Sequence, residues 1–520
     1  MPLILDHKIG NSSLKKHLEH IRGMMRAERQ EYDPHWKTIS RYITPAQARF
    51  DPHHQRRTVP SWNDIINNTA TTALRVAVSG MFAGNMSPAR PWMALVHPDD
   101  NLMQREDVKV WLHQVEQIIF SVLRDSDFYK MCPMMLRSLV AFGVSAVTHV
   151  DDPVTTSRFY PHSIGSYYLG LDDALRPNQM LREFTLNVEQ TVQKFGMTAV
   201  SSRVKEAYDR SNYKTQVGIV NYVGPNPIMD PGNLFARGKP YLSIYYEIGM
   251  GNAGLGGRPS SITESTSAMP GGEDAFLALE GFYERPFHAP RWWVEGEDTY
   301  ASECPGMVAL GDTKQLQVEE RRKGQAIDKQ TDPPLQAPPT IQNQGVTALP
   351  GGITYVSTGA EVGGGIKTLY DVNLNLQDLL LDMQHVEMRI KDAFYVPLFL
   401  AITEMDGIQP RNEFELINRN DEKLLQLGPV LQQVQGEFLS PVVNRVFNQL
   451  IRLDDDGRNG VLPPIPEALR GQPLEVRYIS SLAQAQRAVA TQAMDRVVDF
   501  TTRALQILSL IHISEPTRPY

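Results

Sequence analysis

The chain holds two cysteines, Cys132 and Cys304, among 520 residues. Two widely separated thiols give no disulfide framework and no zinc-ligand spacing, so a reducing site of assembly is expected. No apolar run approaches the ~20 residues of a membrane span. Met1–Gly10 lacks a charged segment followed by a long apolar run, so it does not read as a signal peptide. No repeat is present. There is no G-x-x-x-x-G-K-[ST] phosphate loop and no G-x-S-x-G elbow, which argues against an ATP-driven motor and a serine hydrolase. An excess of cations is missing too: the formal net charge is −8. That disfavours gripping nucleic acid over the whole surface but leaves room for a passage through which it slides.

What is present is length. The chain exceeds the ~250–300 residues that one hydrophobic core sustains, so several sub-domains are expected. The apolar fraction, 42 %, lies slightly below the usual range of about 45–50 %.

Asn11-Ser12-Ser13 caps an amphipathic helix with Leu14, Leu18, Ile21 and Met25 on one face and Arg22, Arg26 and Arg29 on others. Tyr32, Trp36, Ile39 and Tyr42 continue the stripe beyond Pro34, where a kink or restart is expected. Helices are predicted over Trp62–Phe82, Asp107–Leu123 and Asp127–Ala141, and a strand over Arg90–Val96. Further strands are predicted over Gly143–Val150, Arg158–Leu171, Leu181–Leu186, Val217–Val223, Tyr241–Ile248 and Phe282–Val294, and an Asn187-capped helix closes on Phe195-Gly196. The first three hundred residues therefore form an α+β body. After Leu400, helices are predicted over Glu413–Leu425, Val430–Leu453 and Ser481–Leu508.

Several motifs suggest chemistry and fail on context. Gly249-Met250-Gly251-Asn252-Ala253-Gly254 matches a dinucleotide fingerprint, but Leu255-Gly256-Gly257-Arg258-Pro259 cannot open the required helix. Asp454-Asp455-Asp456-Gly457 resembles a calcium loop, yet Arg458 stands where a ligand is needed and the closing Glu is missing. His53-His54 has no partner at ligand spacing, and Cys132 reads as a buried thiol. No nucleophile, base and oxyanion donors come together, so neither catalysis nor a cofactor nor a metal is expected.

The organising feature runs from Gly306 to Leu400. A polar helix over Asp312–Gln330 is cut by Asp332-Pro333-Pro334-Leu335-Gln336-Ala337-Pro338-Pro339. A more apolar helix returns from about Asn375 to Phe394 and is expected to stop at Pro397, with Leu376, Leu379, Leu380, Met383, Val386, Ile390 and Phe394 at helical spacing. The first helix carries Lys314, Glu319, Glu320, Arg321, Arg322 and Lys323 and lacks a full burial face. It is either an exposed arm or a helix packed by charge pairs against copies of itself.

Several stretches, in order, resemble the portal, or head-to-tail connector, proteins of short-tailed bacteriophages. They are Ser79-Gly80-Met81-Phe82 through Ser87-Pro88-Ala89-Arg90-Pro91-Trp92; Phe159-Tyr160-Pro161 with Tyr167-Tyr168 and Arg182-Glu183-Phe184; and Tyr300 with Cys304-Pro305-Gly306-Met307. Leu427-Gly428-Pro429-Val430, Glu437-Phe438-Leu439-Ser440-Pro441-Val442 and Tyr478 with Ser481-Leu482-Ala483-Gln484-Ala485-Gln486 complete the series.

The resemblance implies a non-enzymatic subunit of a ring, a dodecamer, at one vertex of the virion capsid. Double-stranded DNA would pass through it during packaging and ejection. The expected partners are terminase, tail adaptor proteins, and major capsid and scaffolding proteins, with no membrane and with assembly in the host cytoplasm. The expected divisions are a wing over 1–304, a first stem helix over 305–332, a clip over 333–371 and a second stem helix over 372–400. A tunnel loop with wing helices would follow over 401–470 and the start of a helical crown over 471–507. Arg389, Lys391, Arg411 and Arg419 are then candidates for facing DNA, Pro333, Pro334, Leu335, Pro338 and Pro339 for docking partners, and Gln409, Pro410 and Asn412 for the tunnel loop. The run Ile408-Gln409-Pro410-Arg411-Asn412 departs from the family's usual Met-Thr-Ala-Thr-Glu-Val. Residues 508–520 resemble a translated sequencing adapter and are expected to be non-native, with the gene cut near Ile507. The competing readings are a nuclease or ATPase of the packaging machine and a generic minor capsid or scaffold protein.

Overall fold

The structure is a computed structural model that describes residues 11–45, 50, 63–230, 232–233, 235–248, 276–331, 335–336, 367–368, 376–404, 427–455, 462–469, 474–479 and 482. The glycine-rich fingerprint, His53-His54 and the helices predicted over 413–425 and 481–508 lie outside the described residues, apart from Leu482.

Helix α1 (Asn11–Tyr42) opens the chain. Its first half lays Leu14, Leu18, Ile21 and Met25 on one face of a five-stranded antiparallel sheet, and its second half inserts Trp36 and Ile39 into a larger core. Of the kink or restart expected at Pro34, no restart occurs: the proline sits inside this helix without ending it. Burial of Trp36 and Ile39 directly after it outweighs the one backbone hydrogen bond that proline removes. Arg29, placed by periodicity on an outer face, is buried. Its Nη1 donates to the Gly165 and Tyr167 carbonyls at 2.9 and 2.8 Å, and its guanidinium lies 3.8 Å from the centre of the Tyr168 ring.

The sheet contains β4 (Tyr167–Leu171), β5 (Pro177–Asn187), β6 (Gln216–Pro225), β7 (Tyr241–Glu247) and β8 (Ala278–Phe282), ordered as they are numbered. Its second face packs on α6 (Val188–Phe195) and α7 (Ser202–Asp209) through Phe184, Val188, Val204 and Ile219. Between two helical layers, β6 is buried along nearly its whole length, which explains its unbroken apolar run. Asn187 caps α6 as expected, and the structure adds a reciprocal box with Gln190.

The larger core gathers α2 (Thr69–Asn85), α4 (Glu106–Asp125) and α5 (Phe128–Phe142). It also takes in a three-stranded sheet in which β2 (Ala146–Asp152) lies between β3 (Thr156–His162) and the short β9 (Phe287–His288). In place of the strand predicted over Phe282–Val294 stand the last residue of β8, the two-residue β9 and isolated bridges at Arg291 and Trp293. β1 (Met93–Val96), preceding the short α3 (Asp100–Gln104), pairs with β12 (Glu475–Tyr478), tying residues from the two ends of the chain together. Both cysteines are buried, and burial pushes both thiols up, Cys304 to about 12, which disfavours the thiolate of each at neutral pH.

Helix 427–434 passes through a π-helical turn, Gln435–Leu439, into α12 (Ser440–Asp455). The turn carries Glu437, which accepts from Arg291 Nη2 at 2.6 Å, Arg291 Nε at 3.1 Å and the Arg291 backbone N–H at 2.9 Å. A chain of polar groups joins α12 to the small sheet. Gln449 Nε2 donates to Asp151, which fixes its amide so that Gln449 Oε1 accepts from Ser157 Oγ at 2.5 Å. Ser157 therefore accepts from His149 Nε2, and His149 Nδ1 accepts from His288 Nε2 at 3.2 Å. Both rings are neutral in this chain.

Candidate functional site at the paired helices

The predicted hairpin is present. α8 (Pro305–Val308) leads into α9 (Leu310–Thr331), and α10 (Leu376–Ala393) returns beside it. Pro305 stands in the first turn of α8, where a missing N–H costs nothing. Met383, Val386, Ile390 and Phe394 recur at three- and four-residue spacing and are all buried. α9 meets them with Leu316 and also with polar groups, Thr313, Gln317 and Glu319, which are buried as well. The polar first helix therefore has a burial face, with hydrogen bonds replacing part of the usual apolar stripe.

Two of Gln317's three bonds, and one to Glu320, meet at Asn67, just before α2. Asn67 Nδ2 donates to Glu320 of α9 and to Glu387 of α10, both at 3.1 Å. Its Oδ1 accepts from the Thr69 backbone N–H at 2.8 Å and from the Thr69 hydroxyl at 2.6 Å, closing the first turn of α2. Gln317 Oε1 accepts from the Ile66 and Asn67 backbone N–H groups at 2.7 and 2.9 Å, while Gln317 Nε2 returns a bond to the Asn67 carbonyl at 2.9 Å. One short segment thus braces both long helices against the body. The sequence places Asn67-Asn68-Thr69 inside a helix starting at Trp62, whereas α2 starts only at Thr69, because Asn67 is held outside it by its bonds to α9 and α10.

β10 (Leu335–Gln336) and β11 (Lys367–Thr368) form a short antiparallel ladder beyond the helices, with Leu335 opposite Thr368. The two limbs of the hairpin are therefore side by side at the root of its tip. Leu335 is the one docking candidate described; Pro333, Pro334, Pro338 and Pro339 lie outside the described residues.

At its other end, α10 stops within a residue of the expected Phe394. It stops at Ala393, Tyr395 takes a left-handed conformation with φ of 55°, and α11 (Val396–Glu404) starts afresh. Pro397 stands in the first turn of α11, a position that proline favours, so it starts a helix rather than ending one.

Arg389 and Lys391, the described cation candidates, both have acidic partners. Arg389 Nη2 lies 3.0 Å from Asp312 Oδ1 on α9, in an exposed pair that crosses between the helices. Lys391 is 3.7 Å from Glu387 and lines a cleft of about 470 Å³ with Asn67, Thr72, Val76 and Val396. Arg411, Arg419, Gln409, Pro410 and Asn412 lie outside the described residues. Among the described residues, no three His, Cys, Asp or Glu side chains are grouped to hold a metal ion. Among them too, no helix is long and apolar enough to cross a membrane.

The described residues define an α+β protein with a braced pair of antiparallel helices closed by a short ladder. Known proteins give this class a family. The family described as bacteriophage head to tail connecting protein matches residues 15–509. The portal protein of Salmonella phage epsilon15 is 37 % identical over 486 residues, covering 93 % of this chain and 82 % of that protein. The probable portal protein of Bordetella phage BPP-1 is 36 % identical over 479 residues, covering 92 % and 80 %. The chain belongs to the family of bacteriophage head to tail connecting proteins, whose members are structural connectors and not enzymes.

Proposed function

We propose that the chain is a portal subunit, one of about twelve copies in a ring at a single capsid vertex, the number being that implied by the resemblance. The observation that carries this reading is the family match, which runs through both halves of the braced hairpin. The paired helices form the stem and the wall of an axial channel for double-stranded DNA. The segment 333–371 forms the clip, where terminase docks during packaging and tail adaptor proteins dock afterwards. The α+β body is the wing that meets the major capsid and scaffolding proteins, and a crown begins near residue 471. The ring assembles in the host cytoplasm and remains in the virion at the junction of head and tail.

Pairing of Arg389 with Asp312 and of Lys391 with Glu387 supports a wall that touches phosphates weakly. A channel with a strong cation excess would hold each phosphate and resist sliding. Arg411 and Arg419, with Gln409, Pro410 and Asn412, belong to the loop that approaches the DNA.

Electron microscopy of the purified full chain, with native mass spectrometry, tests this reading. The expected result is a closed ring with an open axial hole. A chain that stays monomeric at micromolar concentration and shows no ring would overturn it.

A further inference from the structure

A cavity of about 690 Å³ lies between the turn joining β4 to β5, the connection from β8 to β9, and the helix that passes through the π-helical turn into α12. Neither α9 nor α10 borders it. Amides line much of it, from Asn178, Gln432, Gln433, Asn444 and Asn448. Two backbone irregularities shape its walls. Leu175 takes a left-handed conformation with φ of 58°, which is costly for a residue other than glycine, and its carbonyl accepts from Arg291 Nη2 at 2.9 Å. Arg291 in turn holds Glu437 on the π-helical turn, a kind of irregularity that recurs at functional sites.

The charges at this cavity do not cancel. Its three carboxylates are all engaged. Glu437 meets Arg291, Glu284 meets Arg445 and Arg452, and Asp172 Oδ1 accepts from the Ala174 and Arg176 backbone N–H groups at 3.0 and 2.8 Å. The Arg176 and Arg285 side chains also line it, and among the described residues neither has a carboxylate within ion-pair distance. Arg285 is half-buried. Its Nη1 donates to the Pro177 carbonyl and its guanidinium lies 5.2 Å from the centre of the Phe287 ring, which leaves Nε and Nη2 to donate elsewhere. Burial pulls Arg285 below the ordinary guanidinium range; Tyr241, Glu437 and Asp172 oppose this only in part, and Arg176 adds to it. Holding two such cations at one cavity is unfavourable unless an anion joins them.

We propose that this cavity binds a phosphate dianion, either free or as the terminal group of a nucleotide. Two guanidinium forks offer more donors than one carboxylate accepts, whereas a terminal phosphate brings three oxygens and a charge of about −1.5 to −2 near neutral pH. The amides of the lining can donate to and accept from the rest of a nucleotide. Every lining group comes from one chain, so the site does not depend on the portal reading or on ring closure.

Isothermal titration calorimetry of the full chain in about 0.15 M chloride tests the site. Inorganic phosphate is titrated in one arm and deoxyadenosine monophosphate in the other. Saturable binding is expected, and the tighter arm identifies the source. Arg176→Gln and Arg285→Gln are each expected to weaken it by about tenfold or more, because each removes one charged fork. Arg176 is exposed, so its variant should keep the melting temperature that the unmodified chain has without phosphate, which separates lost binding from lost folding. An affinity weaker than about 1 mM in both arms overturns the proposal, as does undiminished binding by either variant. Free glutamate binding as tightly as phosphate overturns it as well.

Discussion

Phe399 lies directly across Gly80. The phenyl ring from α11 occupies the space a side chain at Gly80 would need, and a Cβ added there would overlap the ring itself. The close approach of α2 and α11 thus depends on glycine for want of volume rather than for backbone freedom. Gly80→Ala is expected to destabilise the protein by about 1–3 kcal/mol, the usual cost of overpacking. Adding Phe399→Leu should recover much of the loss. Denaturant midpoints of the single and double variants check this.

Arg291 and Glu437 form a second such dependence. Both are largely buried, and the carboxylate meets the guanidinium and the backbone N–H of the same residue. Arg291→Met alone leaves a buried carboxylate without its partner and is expected to cost about 3–5 kcal/mol. Arg291→Met combined with Glu437→Leu should cost less than Arg291→Met alone. Apparent melting temperatures of the three proteins settle the order.

Acid should loosen the body. Burial, with Arg445 and Arg285 nearby, holds His149 and His288 well below the usual imidazole range, and burial beside Arg182 does the same for His162. In the unfolded chain these rings take up protons near pH 6.5, whereas in the folded chain they do not. Their contribution is therefore fully present above about pH 6.5 and is lost as the pH falls below it, by up to about 1.4 kcal/mol per pH unit for each ring. His149→Gln with His288→Gln should flatten the acid limb of a plot of unfolding midpoint against pH. An unchanged slope would exclude these two rings as its cause.

Asn67 should matter more to the helix pair than to the sheet. Asn67→Ala removes two bonds to carboxylates and the closure of the first turn of α2, with an expected cost of about 2–3 kcal/mol. Hydrogen exchange should quicken in α9 and α10 and stay unchanged in β5 and β6. Uniform quickening in all of them would mean that the clamp is not local.

Much of this was legible in the sequence because the physics is local. The stripe Met383, Val386, Ile390 and Phe394 reports its own helix, Asn187 reports its own cap, and the proline-rich break separates α9 from α10. The prolines were read less well. Pro34 was expected to kink or restart a helix, and α1 runs through it without restarting; Pro397 was expected to end a helix and stands in the first turn of α11.

The hairpin between Gly306 and Leu400 was determined by the sequence as two helices around a break. Only the tertiary structure decided how it is held. Asn67 reaches Glu387 across 320 positions, and Arg389 finds Asp312 across 77. Periodicity reports which side of a helix is apolar, because that depends on neighbours three and four residues away. It cannot report which distant polar group will satisfy a buried Gln317 or neutralise an exposed arginine, because those partners exist only once the chain has brought them together.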